Sequence, residues 1–257
     1  MAETGAARRE VAILGYACRL PGARDAGAFG ALLDAGGTAI GRIGPERWDP
    51  SAFLAAGGAA PGRAYTMAAG VLEDVWSFDP GFFGISRREA EQMDPQQRLL
   101  LTVAWEAVEH AGLTPARLSG PRSGVFVGVS ALDHGAAQMA DPASADTTFM
   151  TGNTLSIVAN RLSHFLDAQG PSYAVDTACS SSLYAAHQAA RAIRAGEIDV
   201  AVVGGVHLLL SPMPFIGFSR AGMLSASGAC RPFDARADGY VRAEGSVVVI
   251  LAAREVA

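Results

Sequence analysis

Lysine is absent from this 257-residue chain, since all 20 of its basic residues are arginine. That absence excludes a Schiff-base enzyme, a lysine general base and a phosphate loop built around a lysine ammonium. Positive charge is scarce as well. Twenty arginines face 25 acidic residues for a net charge of -5, and without a basic run nucleic acid is not the expected partner. Cysteine is almost missing. Cys18, Cys179 and Cys230 are odd in number, far apart and without metal-ligand spacing, so neither a disulfide framework nor a metal site is expected, and a reducing cytoplasmic setting fits. Long apolar runs are lacking too. The longest, Val200 to Leu210, falls short of the roughly 20 residues a bilayer requires and contains His207, so no membrane span is expected. Val11 to Ala17 follows Glu3 and Glu10 and precedes Pro21-Gly22, which marks it as a buried first strand rather than a secretion leader.

What is present is a large apolar fraction, half of all residues, enough to bury a sizeable core. Strand-like runs rich in Val and Ile stand at Val11 to Leu14, Gly124 to Val129, Ser172 to Val175, Val200 to Val203 and Ser246 to Leu251. Helical patterns fall between several of them. Alternation of this kind predicts a layered α/β fold with a mixed, largely parallel sheet between helices. One helix is marked by Asp94 as cap, Pro95 at its first position, apolar Leu100, Val103, Ala104, Ala107, Val108 and Ala111, and Gly112 as its stop. Another is expected at or just after Cys179, with Leu183, Ala186, Ala190 and Ile193 on its buried face and Gly196 at its end. The Gly- and Pro-rich stretch 36–84 carries Trp48, Tyr65, Trp76, Phe78, Phe82 and Phe83, which predicts an ordered excursion. Residues 1–10 are expected to be a disordered tail, and the last strand-like run stops close to Ala257, as at a cut edge.

Cys179 stands where an apolar extended run gives way to an amphipathic one, in Asp176-Thr177-Ala178-Cys179-Ser180-Ser181-Ser182-Leu183. Free amide N–H groups and the positive end of a helix dipole favour thiolate over thiol at such a place. Cys179 is therefore the candidate nucleophile. Cys18 and Cys230 start no helix and read as packing residues. His187 lies eight residues along the helix, about 12 Å away by the 1.5 Å rise, too far to be a direct base. His164 and His207 read as structural histidines, and Asp176 as an acceptor that supports the turn. Ser180, Ser181 and Ser182 are expected to satisfy first-turn N–H groups. A serine hydrolase is excluded because the chain has no Gly-x-Ser-x-Gly elbow.

Together, the Asp176 to Leu183 string resembles the active-site signature of the β-ketoacyl synthases, in particular the ketosynthase domains of type I polyketide synthases. Four further segments carry the resemblance: Gly15-Tyr16-Ala17-Cys18-Arg19-Leu20-Pro21-Gly22-Ala23; Phe78-Asp79-Pro80 through Met93-Asp94-Pro95-Gln96-Gln97-Arg98-Leu99-Leu100; Gly152-Asn153 with Ala159-Asn160-Arg161-Leu162-Ser163; and Phe233-Asp234 with Ala237-Asp238-Gly239-Tyr240 and Glu244-Gly245. The last of these reads as loop scaffold. The register runs from about Val11 to Leu251.

The resemblance implies a thiolase-like fold, and a mechanism in which Cys179 takes an acyl chain from the phosphopantetheine thioester of an acyl carrier protein. Decarboxylation of a malonyl-type extender then gives an enolate that attacks the Cys179 thioester. The Cys179 backbone N–H is one candidate oxyanion donor. The family's two histidines, in His-Gly-Thr-Gly-Thr-like and Asn-Ile-Gly-His-like settings, do not occur here; His134-Gly135 is followed by Ala136-Ala137-Gln138 and precedes the nucleophile. Residues 11–257 are thus expected to be the N-terminal half of a ketosynthase domain, with the histidines in the other half. The resemblance also implies a homodimeric parent with the Ser172 to Val175 strand near its twofold axis, and no cofactor bound by this chain itself. An acyl-holding or docking module that does not condense is the alternative activity.

Overall fold

The computed structural model describes residues 9–55, 57–58 and 60–256. Of the expected tail, residues 1–8 lie outside the described residues, whereas Arg9 is ion-paired to Asp199 and Glu255, and Glu10 to Arg254. Eight strands and eight α-helices are formed among the described residues, with short 3-10 turns between them. The strands are β1 (Val11–Arg19), β2 (Ile40–Arg42), β3 (Ala68–Gly70), β4 (Ser123–Gly128), β5 (Ser172–Val175), β6 (Val200–His207), β7 (Arg242–Ala243) and β8 (Gly245–Ala253). The helices are α1 (Ala26–Asp34), α2 (Arg87–Gln92), α3 (Pro95–His110), α4 (Asp133–Gln138), α5 (Phe149–Asn153), α6 (Leu155–Leu166), α7 (Ser181–Arg194) and α8 (Met213–Arg220).

The main sheet has the order β1-β8-β6-β4-β5. It is mixed, as the sequence pattern predicts, but the parallel character is confined to β6, β4 and β5; β8 runs antiparallel to both β1 and β6. Helical crossovers α6 and α7 link the parallel strands, while β8 enters from the opposite end after the long path through α8 and β7. The run of Val, Ile and Ala in β4, β6 and β8 is what burial on both faces requires. One core, including Val125, Val127, Val202, Val248 and Ile250, packs under α3 and α6; another, including Phe126, Ala201 and Val203, packs under α7. The result is a sheet between two helical layers.

Helix α3 starts as its sequence dictates. The Asp94 carboxylate accepts the Gln96 N–H at 2.8 Å, Pro95 occupies the first turn, and Leu100, Val103, Ala104, Ala107 and Val108 are buried. The aromatic excursion is ordered: β2 and β3 form a small second sheet with β7, Trp48 meets Phe215 edge-on, and the Tyr65 hydroxyl donates to Leu224 O at 2.6 Å. A fully buried ion pair anchors it. The Glu244 carboxylate accepts Arg47 Nε and Nη2 at 2.9 and 2.8 Å and also the backbone N–H groups of Leu72 and Leu209. With its lone pairs engaged in this way the buried charge is compensated, and the Glu244-Gly245 segment is tied to both the excursion and the end of β6.

Candidate active site

The chain leaves β5, passes Asp176 and Thr177, and turns at Ala178, whose φ of 54° lies in the left-handed region. For an alanine that conformation costs roughly 1–2 kcal/mol. Local hydrogen bonds hold it. Asp176 Oδ1 accepts the Ala178 N–H at 2.8 Å, Ser181 Oγ accepts the Thr177 N–H at 2.9 Å and donates to Ala178 O at 2.6 Å, and Ser180 Oγ donates to Thr177 O at 2.9 Å. Asp176 thus supports the turn as predicted. The serines depart from expectation: Ser180 and Ser181 reach back to the turn instead of forward to the first N–H groups of α7, because the entry is a single turn of 3-10 helix over Ala178–Ser180.

This elbow leaves Cys179 exposed at the entrance of α7. Two glycines let the helix come down onto the sheet. Gly128 of β4 and Gly205 of β6 are paired in register. A Cβ on Gly128 would stand 2.5 Å from Ser182 N, and one on Gly205 would stand 2.9 Å from Ser182 Cβ. Such close approach is a recognised use of glycine within a strand. The Val203-Gly204-Gly205 run carries that signal in the sequence, although strand periodicity alone says nothing of which element approaches.

Cys179 opens onto a cavity of about 740 Å³ lined in part by Ser182, Leu183, Val203, His207, Tyr240 and Arg242. Leu183 overturns the expected helix face. It is 76% exposed beside the cavity, and the buried side of α7 is Ser181, Ala185, Ala189, Ala192 and Ile193. The sheet meets α7 through its small residues, because the glycines beneath leave room for no larger contact at the helix start. His207, read from the sequence as structural, lines the same cavity. Arg242 Nη2 lies 3.1 Å from its Nε2, and burial, reinforced by the Arg242 charge, lowers its pKa to about 4. The Arg242 guanidinium sits over the Phe215 and Phe218 rings at 5.2 and 5.4 Å.

Of the other cysteines, Cys18 is buried, which pushes its thiol pKa up, whereas Cys230 is exposed in the loop after α8, contrary to its expected packing role. A loop segment without periodic apolar neighbours offers no core for it to join. His187 is exposed on α7 and His164 on α6. The Phe233 to Gly239 segment is a loop: Asp238 accepts from Ser225 Oγ and the Ser227 N–H, which hold its carboxyl down to about 2, and Phe233 is fully exposed. The other motif residues are ties between elements. Gln97 donates to Gly152 O, Arg161 donates to Gln97 Oε1 and to the Glu89 carboxylate, and Asn160 Oδ1 accepts from Ser172 Oγ.

The family described as "Beta-ketoacyl synthase, N-terminal domain" matches residues 8–257. The chain belongs to the β-ketoacyl synthase family. Its relatives include one of the phenolphthiocerol/phthiocerol polyketide synthase proteins of Mycobacterium tuberculosis, 47% identical over 242 residues that make up 94% of this chain and 16% of that protein. Among solved structures, the oxazolomycin ketosynthase domain of Streptomyces albus superposes with a TM-score of 0.89 at 42% identity, covering 96% of this chain and 44% of that one. The ketosynthase from module 6 of the bacillaene synthase of Bacillus subtilis gives 0.83 at 36% identity, covering 96% and 40%. The fold is therefore that of the thiolase-like ketosynthases, and this chain spans less than half the length of the ketosynthase structures it matches.

Proposed function

We propose that this chain is the acyl-accepting half of a polyketide ketosynthase, with residues 11–257 as the N-terminal half of the domain and Cys179 as its nucleophile. The Cys179 sulfur attacks the carbonyl carbon of an acyl thioester carried on the phosphopantetheine arm of an acyl carrier protein. A new thioester forms at Cys179, and the arm leaves as a thiol with the proton. Sulfur suits the task because the thioester it makes is as reactive as the one it replaces. The Cys179 backbone N–H is one donor to the oxyanion of the tetrahedral intermediate. A malonyl-type extender then loses carbon dioxide, and its enolate carbon displaces the Cys179 thiolate to give a β-ketoacyl thioester on the carrier. That second step needs the family's two histidines, whose sequence settings do not occur in this chain. The reading includes a homodimeric parent joined along β5, which occupies a sheet edge, and a reducing cytoplasmic setting, supported by three free thiols.

The observation that carries the reading is the exposed Cys179 on a strained elbow at the mouth of a cavity large enough for an acyl chain. Incubation with an acyl thioester is expected to give a single adduct by intact mass, absent in Cys179→Ala, and no condensation product from this polypeptide alone. An adduct that survives in the alanine variant defeats the assignment.

A further inference from the structure

Strand β6 alternates its side chains between the two helical layers. Val202 and Val206 belong to the core under α3 and α6, while Ala201 and Val203 belong to the core under α7. A two-residue period then places Gly205 and His207 on the α7 face, and the Cβ position of Gly205 does face Ser182. His207 accordingly stands on the Cys179 side of the sheet, at the carboxyl end of β6, in the lining of the same cavity.

Geometry fixes its proton. A guanidinium offers donors and no acceptor, so the Nε2 that meets Arg242 Nη2 at 3.1 Å must be the accepting lone pair. The ring proton of neutral His207 is then on Nδ1, and a second proton would set two donors against each other. The charged groups around it agree. Arg242 opposes protonation; Glu244 favours it, but its carboxylate is already engaged by Arg47, Leu72 N–H and Leu209 N–H. Asp133 and Tyr240 act on Arg242, and Cys179 shares the cavity. Nδ1 has no protein partner among the described residues and is not among their buried unsatisfied atoms. The cavity that His207 lines is largely apolar, with Leu183, Val203, Val247 and Val249 in its wall.

We propose that His207 is a specificity-determining donor whose Nδ1–H binds a hydroxyl or oxo oxygen on the acyl chain held by Cys179, with Arg242 as the positioning residue that fixes its tautomer. The proposal rests on the acylation reading above. A saturated chain lying in the cavity would cover the Nδ1–H without offering an acceptor, and leaving a donor dry is costlier than a hydrogen bond is favourable. Oxygen-bearing chains are thereby selected at the loading step.

The test is competition for Cys179 among hexanoyl, 3-hydroxyhexanoyl and 5-hydroxyhexanoyl N-acetylcysteamine thioesters, read by intact mass. At least one hydroxyacyl chain is expected to load about three- to tenfold faster than hexanoyl, the range one neutral hydrogen bond supplies. In His207→Leu that ratio should fall to near one. Arg242→Met should make the ratio depend on pH below about 6.5, where an ordinary imidazole titrates, while the unsubstituted protein keeps it flat. A ratio near one in the unsubstituted protein, or an unchanged ratio in His207→Leu, overturns the proposal. Should no thioester load at all, the acylation reading falls, and the contact is still read in Cys179→Ala from the His207 imidazole nitrogen resonances. They should move with a hydroxyacyl thioester and stay with hexanoyl; equal movement or none overturns the assignment.

Discussion

Ala178 and Cys179 divide the work of the elbow between them. The left-handed residue is an alanine, so the strain is real, and three side chains within six positions, Asp176, Ser180 and Ser181, are spent on holding it. Backbone strain retained in this way is typical of functional sites. His207 shows the same economy by other means. Its pKa falls to about 4 from an ordinary 6.5, so between those values the unfolded chain binds more protons than the folded one. The stability due to neutral His207 is fully present above about pH 6.5 and is lost as pH falls toward 4. By linkage the loss is on the order of 3 kcal/mol. Denaturant unfolding of His207→Gln should show a shallower decline than the unsubstituted protein across that window; parallel curves would contradict the buried neutral imidazole.

At the scale of elements, α3 and α7 differ in how much their sequences disclose. Helix α3 carries its own start signal in Asp94-Pro95, so its limits and most of its buried residues are legible, although Leu101, Gln96 and Gln97 are buried as well and Ala111, at the cap, is only partly so. Helix α7 was legible as a helix, but its buried face was not. Helical spacing puts Leu183 on one face with Ala186, Ala190 and Ile193, yet the face that meets the sheet is chosen by backbone proximity at Gly128 and Gly205, which approach Ser181 and Ser182. Gly128→Ala tests this directly. With 2.5 Å between its Cβ and Ser182 N, overpacking should cost about 1–3 kcal/mol and shift the elbow, so Cys179 acylation should slow more than tenfold. Unimpaired acylation in a folded variant would show that the close approach does not position the thiol.

At the scale of the whole molecule, large apolar side chains remain exposed both in the cavity, where Leu183 and Val247 line it, and elsewhere on the surface. Leu183, Met213, Val247 and Phe233 are all exposed large apolar side chains. A surface of this kind favours association. The chain expressed by itself is expected to self-associate as its concentration rises and to bind a hydrophobic dye, both followed by sedimentation and fluorescence; a monomer that unfolds cooperatively and binds no dye would contradict this. Among the described residues no helix is long and apolar enough to cross a membrane.

The amino-acid order alone determined the family, the nucleophile candidate and most of the main-sheet strands, because motif spacing, cap residues and alternation are local properties that survive without contacts. It also identified the aromatic excursion as ordered, since so many rings in one stretch need a core. Only the tertiary structure decided that β8 runs against β6, that Leu183 faces the cavity, that Cys230 is exposed, and that His207 and Arg242 meet in the cavity that Cys179 also lines. Those outcomes depend on which surfaces are brought together by residues far apart in the chain, as His207 and Arg242 are at 35 positions. No periodicity records such a meeting.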